Sequence, residues 1–451
     1  MPLIKPFAVL RPVAGREPDV AAPPYDVMNR SEAKAMVEGC PWSFLHISRP
    51  EIDLPDETSP YEAAVYAKGR GNLDRMIAEG VLARDTTDCY YAYRLTMGEH
   101  VQTGIVAVAS IEAYDQDRIK KHELTRPTKE DDRVRQIDTL NAQTGPVFSV
   151  YPAQAAVDGL LARVATGKPA MDVTAKDGVR HQLWVIADTQ DIAALTDAFE
   201  AMPAIYVADG HHRSAAASRV GNTRKASNPG HTGEEGYYYF LSVIFPHDQM
   251  QILDYNRVVR DLNGLSSEQL LARVAERFDF TTVDEAYRPD GAAVFGMYLQ
   301  GQWYRLQLRE EHIPSDPVGS LEVSLLADHL IAPILGVSDQ RLDERIDFVG
   351  GIRGLNELEK RVDSGDWAVA FALYPTSMQA LMAVAGRMED KSIIKKGSNV
   401  SIIVNNENMY RIFQGYCLMA SSSLVKYQLF WSREQDLALH FVNCPHMPII
   451  D

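Results

Sequence analysis

Between residues 182 and 220 the chain alternates in a way that leaves few folds open to it. An apolar run, 182–187, is followed by a helix-period segment, 191–201. A second short apolar run, 204–208, leads into a small-residue helix that starts near His212 and continues to Val220. Strand, helix, strand, helix at this spacing predicts an α/β unit, because each helix must lay its apolar stripe on a sheet. The flanking patterns differ. Residues 90–97 and 102–111, joined around Gly98-Glu99, read as a hairpin, and so do 293–299 with 303–308. The expected fold is mixed α/β, with antiparallel hairpins and flanking helices around the alternating unit.

Further periodic segments fill the body. Ser59, Pro60 and Gly80 bracket a predicted helix over 61–79. Helices are also expected over 267–278, 321–334, 354–363 and 377–385, and strands over 237–245 and 367–373. The first 50 residues are proline-rich and predict an extended wrap, with Pro23-Pro24 forcing a stiff turn before Tyr25-Asp26. Residues 118–133 hold almost no apolar side chain and read as a solvated charged stretch, while 221–236 read as an exposed loop. Beyond 387 the composition shifts: residues 388–451 contain two alanines, Ala420 and Ala438, in a chain otherwise rich in them. The expected organisation is a core over 1–387, with the alternating unit at 180–220, and an atypical tail over 388–451. Such a shift marks a separate domain, a disordered extension or a change of reading frame.

Charge and cysteine usage narrow the function classes. A formal net charge of −16 repels phosphate backbone and argues against a nucleic-acid partner. No apolar run approaches the roughly 20 residues of a membrane span, and the first residues lack the zones of a secretory signal. Four scattered cysteines suit neither a disulfide framework nor a zinc site. The expectation is a cytoplasmic enzyme with small-molecule partners and with its oligomeric state open.

The densest chemistry is Asp209-Gly210-His211-His212-Arg213, placed where a strand hands over to a helix. Unpaired helix N–H groups and the helix dipole favour anions there. Gly210 allows close backbone approach, Arg213 offers a bidentate fork, and His211 and His212 can donate to phosphate oxygens or move protons. Asp209 could accept a proton or hold a metal. A second group runs from Lys120 through His122, Glu123 and Thr125 to Lys129, Asp132 and Arg133. Glu123 is a candidate general base, and Lys129 and Arg133, four apart, would share one face of a helical turn. Tyr25 and Asp26, and Asn141 and Thr144, sit in turn motifs that could hold a substrate. Residues 345–354 place Gly350-Gly351 before a helix but lack the Lys-Ser/Thr of a phosphate loop. Familiar hydrolase, metalloprotease, dinucleotide and nucleotide-loop motifs do not occur where they should.

Taken in order, Lys5-Pro-Phe-Ala-Val-Leu-Arg-Pro12, Ala22-Pro-Pro-Tyr-Asp-Val27, His122-Glu123-x-Thr125, Lys129-x-x-Asp132-Arg133, Asn141-x-x-Thr144-Gly-Pro146, Ala208–Arg213 and Asp347-Phe-Val-Gly-Gly351 resemble the domain of unknown function 1015 family. The resemblance runs over about residues 1–387 and names no reaction. The Asp209–Arg213 motif in its strand–helix setting is also similar to the phosphate-binding motif of free serine kinases in the ParB/sulfiredoxin-like superfamily. That second resemblance implies a ParB/sulfiredoxin-like unit and a nucleotide-dependent phosphotransferase on a small hydroxylated metabolite. It implies ATP or ADP with Mg²⁺, nucleotide held by Gly210, His212, Arg213, Lys129 and Arg133, and catalysis by Glu123, Asp209 and His211. Tyr25, Asp26, Asn141 and Thr144 would face the substrate. A non-catalytic nucleotide-binding regulator and a phosphate-releasing hydrolase are the alternatives.

Overall fold

A computed structural model describes residues 1–386, apart from 26–27, 123–124 and 341–342, together with the short strand Met419–Ala420. Two sheets organise it. The first contains β1 (Ile4–Lys5), β2 (Tyr90–Met97), β3 (His100–Ser110), β4 (Ile119–Lys120), β5 (Val147–Tyr151), β6 (Met171–Thr174), β7 (Arg180–Ile186), β8 (Ile205–Asp209) and β9 (Tyr239–Pro246). Its order is β4-β8-β5-β9-β3-β2-β7-β6, with β1 added beside β3. The pairs β4–β8 and β5–β9 are parallel and the others antiparallel. The second sheet holds β10 (Tyr255–Val259), β11 (Phe278–Val283), β12 (Val294–Leu299), β13 (Gln302–Leu308), β14 (Ile346–Gly350) and β15 (Val369–Leu373). It is wholly antiparallel, in the order β11-β13-β12-β15-β10-β14. The fold is thus mixed α/β with antiparallel hairpins, as the sequence predicts.

Local chemistry explains most elements. The β2–β3 hairpin closes through Gly98 at φ 57°, with Met97 opposite His100. That positive φ is the conformation a two-residue turn requires. The turn between β12 and β13 follows the same rule, with Gln300 and Gly301 both at positive φ. Helix α1 (Ala63–Ala78) buries Val65, Tyr66, Leu73 and Met76 on one face. The central strands β3 and β9 are buried along both faces and read as unbroken apolar runs because helices and loops cover them on either side.

Three expectations are corrected. The first 50 residues are not merely an extended wrap: they include the helix Arg30–Val37, started by an Asn29–Glu32 capping box. The charged stretch 118–133 contains the first half of a full helix, α2 (Pro127–Leu140). Its inward face buries Arg133, Gln136 and Leu140, so a polar face passes for solvated sequence. Helix α3 (His211–Ala226) runs past Val220 into the segment read as loop. Gly221, which suggests a stop, is needed for contact instead: a Cβ there would press on Ile111 and the Tyr237 carbonyl at 2.5 and 2.7 Å. Among the described residues no helix is long and apolar enough to cross a membrane.

Candidate functional site

Strand β8 ends at Asp209, and α3 begins two residues later, at His211. Gly210 makes that step in the left-handed region, at φ 92° and ψ 27°, and a Cβ there would lie 3.3 Å from both the Val147 backbone and the Arg213 guanidinium. No side chain caps the N-terminus of α3, nor that of α2.

The two helices run parallel. The Arg126 amide, just before α2, meets His212 at 3.0 Å. Farther along, Arg219 reaches Glu130 and Asp131 at 2.8 and 2.7 Å, and Arg224 reaches Asp138 and Asn141 at 2.9 and 2.6 Å. Both N-termini therefore open at the same end of the molecule, where their dipoles add positive potential.

His211 is 4% exposed, and its ring stands edge-on to His122 at 4.4 Å. The His122 amide approaches His211 Nε2 at 3.5 Å, and the Arg126 amide donates to His212 Nε2. An amide N–H can only donate, so both Nε2 atoms are acceptors and each neutral ring carries its proton on Nδ1. Burial, reinforced by His122, His212, Arg213 and Lys121, pushes His211 well below the ordinary histidine range. His212 is lowered too, by burial and then by Lys129 and Arg126, against Glu130. The two imidazoles thus tie the His122 and Arg126 amides to the start of α3.

Arg213 turns inward, with its side chain 11% exposed. One end of its fork holds Asp209 Oδ2 at 2.8 Å and the other donates to the Pro146 carbonyl. Asp209 is 46% exposed, so this pair presents its carboxylate outward. Lys129 lies exposed in the first turn of α2, near enough to His212 to depress it. Arg133 sits over the Tyr25 ring at 4.1 Å and bonds Asp132, which also accepts from Tyr66 at 2.8 Å. Arg49 fixes the same turn by donating to the Tyr25 and Met28 carbonyls at 2.6 and 2.7 Å. On that turn, Pro23 and Met28 also line a cavity of about 380 Å³, together with Pro18, Ala22, Leu45 and Lys176.

The structure therefore gathers Asp209, Gly210, His211, His212, Arg213 and Lys129 at one end of the α2–α3 pair, with Tyr25 and Arg133 on the flank of α2. Asn141 is not brought there: it is the left-handed C-cap of α2, a helix length of about 20 Å from the N-terminus. Thr144 is buried two residues before Pro146. Asp26 and Glu123 lie outside the described residues. Sequence reasoning missed Lys121, Arg126 and the Pro146 carbonyl. Arg126 had a legible signal, since it precedes a proline at the first position of a helix.

A model of a family described as protein of unknown function (DUF1015) matches residues 4–324. The chain belongs to that family. No curated protein matches it. Among solved structures, a free serine kinase in complex with AMP is 11% identical over 63% of this chain and 82% of that one, with a TM-score of 0.32. A conserved hypothetical protein from Pyrococcus furiosus is 10% identical over 63% and 84%, with a TM-score of 0.29. SbnI with C-terminal truncation from Staphylococcus aureus is 12% identical over 65% and 94%, with a TM-score of 0.24.

Proposed function

We propose that this DUF1015 protein is a nucleotide-dependent phosphotransferase acting on a small hydroxylated metabolite, with free serine as the first acceptor to try. The observation that carries the reading is the convergence of two parallel helix N-termini with Lys121, Arg126 and Lys129 around the Asp209–Arg213 junction, in a chain of net charge −16. A positive end on an acidic protein suits an anionic ligand, and helix starts bind phosphate through backbone N–H groups.

In this reading Gly210 and the first amides of α3 face the nucleotide phosphates, and Lys129 adds a mobile charge. Arg133 shapes the flank through Tyr25. Arg213 acts on the reaction indirectly, by fixing Asp209 and the Pro146 carbonyl. His211 and His212 accept the backbone amides of His122 and Arg126 and so order the edge of the site. The acceptor hydroxyl oxygen attacks the terminal phosphorus, the bond from phosphorus to the leaving nucleotide oxygen breaks, and the hydroxyl proton passes to Asp209 or Glu123. Among the described residues no group of three His, Cys, Asp or Glu could hold a metal alone. Mg²⁺ fits only as a companion of the phosphates with Asp209 as a protein ligand, where it would neutralise developing charge.

A regulator that binds nucleotide without turnover is the second reading, favoured by the inward commitment of Arg213. Heat-induced unfolding with ATP, ADP and CTP, each with Mg²⁺ and with or without L-serine, tests binding. Phosphate transferred to serine supports the kinase, phosphate released to water indicates a hydrolase, and stabilisation without turnover indicates the regulator. Absence of stabilisation by any nucleotide ends all three.

A further inference from the structure

Three inward-facing arginines in the first half of the molecule each pair with a carboxylate. Arg213 has Asp209, Arg133 has Asp132, and Arg49 has Glu51. In the second sheet the buried carboxylate of Asp254 is likewise matched, by Arg288 at 2.9 Å and Asn256 at 2.6 Å. Arg257 breaks the pattern. It lies on β10 and is 3% exposed, and its polar partners among the described residues are the Tyr255 carbonyl and Gln340 Oε1. No carboxylate is among them. Burial draws its pKa down to about 10, with Tyr255 acting the other way.

A guanidinium removed from water with no opposite charge is costly, and proteins keep such a group when something else supplies the charge. Two half-buried rings border Arg257: Tyr255 and Phe348 are stacked 5.2 Å apart at 7°, with the guanidinium carbon 5.0 and 4.7 Å from their centroids. Of the adjoining Gly350-Gly351 pair, which the sequence offers as an anion cradle, Gly351 answers to packing. A Cβ on Gly351 would drive into the Asp254 carboxylate. The anion-seeking group at this corner is therefore the arginine, with flat apolar surface beside it.

We propose that Arg257 anchors a second ligand site, for a small molecule that carries a carboxylate on a flat apolar body, at the Tyr255–Phe348 corner of the C-terminal sheet. The carboxylate takes the guanidinium N–H groups left over by Tyr255 and Gln340, and a planar fork suits a carboxylate in bidentate fashion. The body lies against the two rings. The site stands apart from the Asp209–Arg213 junction and does not depend on the phosphotransfer reading.

The test is thermal unfolding of the full chain with benzoate, acetate, benzamide and inorganic phosphate. Benzoate at a hundredfold excess over its dissociation constant multiplies the folding constant of the wild type about 100-fold. Neutral benzamide gives no rise. Arg257→Met removes the buried charge while keeping the bulk, a replacement that buried ion sites tolerate, and it loses the benzoate effect. Arg257→Lys keeps the charge without the fork and binds at least about tenfold more weakly, which keeps the test open if the methionine variant fails to fold. Arg213→Ala retains the benzoate effect. Equal stabilisation of the wild type and Arg257→Met overturns the proposal. So does a wild type that no carboxylate stabilises, or one in which phosphate alone gives an Arg257-dependent rise.

Discussion

Two imidazoles are buried at opposite ends of the first sheet, and they differ in everything except burial. His181, on β7, meets a single polar partner among the described residues, the Tyr93 hydroxyl at 2.6 Å, and burial alone pushes its pKa down to about 3. His211, at the start of α3, is lowered by burial and then by His122, His212, Arg213 and Lys121 in concert. The β7 end is a core with one polar group inside it. At the β8 end, Lys121, Lys129 and Arg126 gather around His211 and His212, and Arg213 pairs with Asp209. Burial of a histidine therefore says little about function; the sign of the charges around it says more.

Breaking the β8 end at its inward arginine has the largest expected effect. Arg213→Ala leaves the Asp209 carboxylate and the Pro146 carbonyl without their shared donor and lowers stability by about 2–3 kcal/mol in urea unfolding. It also abolishes stabilisation by nucleotide; a variant stabilised by ATP as much as the wild type removes Arg213 from the site. Gly221→Ala tests the frame rather than the chemistry. Its added methyl group overpacks α3 against Ile111 and Tyr237, at about 2 kcal/mol.

Acid titration sharpens the contrast between the histidines. Both folded pKa values lie below the unfolded value of about 6.5, so the unfolded chain takes up protons first and stability falls as pH drops from there. Each histidine contributes a slope of up to about 1.4 kcal/mol per pH unit below 6.5, continuing for His181 toward pH 3. His181→Phe and His211→Phe both flatten that limb, but only His211→Phe changes nucleotide binding. Equal nucleotide responses would make His211 a second core histidine. The smallest effect on stability belongs to Lys129→Ala, within about 0.5 kcal/mol for an exposed side chain. Titration calorimetry is expected to show about tenfold weaker nucleotide binding for it; unchanged affinity would confine the phosphate contacts to the backbone.

The legible parts of the fold are those set by local rules. Gly98-Glu99 fixes a hairpin by turn geometry, and residues 182–220 announce strands and helices by period. The same alternation exposes the Asp209–Arg213 junction. What stays hidden depends on partners far away in sequence. Helix α2 looks like solvated charge because its buried face pairs Arg133 with Asp132 and points Gln136 at the Ile47 carbonyl. The inward turn of Arg213 needs Pro146, and the burial of Arg257 needs the second sheet around it. No periodicity records either.

The parallel pairing of β5 with β9 has a consequence in time. Between these neighbours the chain makes an excursion over residues 152–238 that builds β6, β7, β8 and α3. Closing so long a loop precedes any gain from the pairing, and non-local contacts of this kind slow folding. During synthesis the Asp209–Arg213 segment leaves the ribosome before β9 exists, while the Pro146 carbonyl that receives Arg213 belongs to the turn just before β5. The junction is thus synthesised by a chain whose central sheet is still open, with β9 yet to slot between β5 and β3.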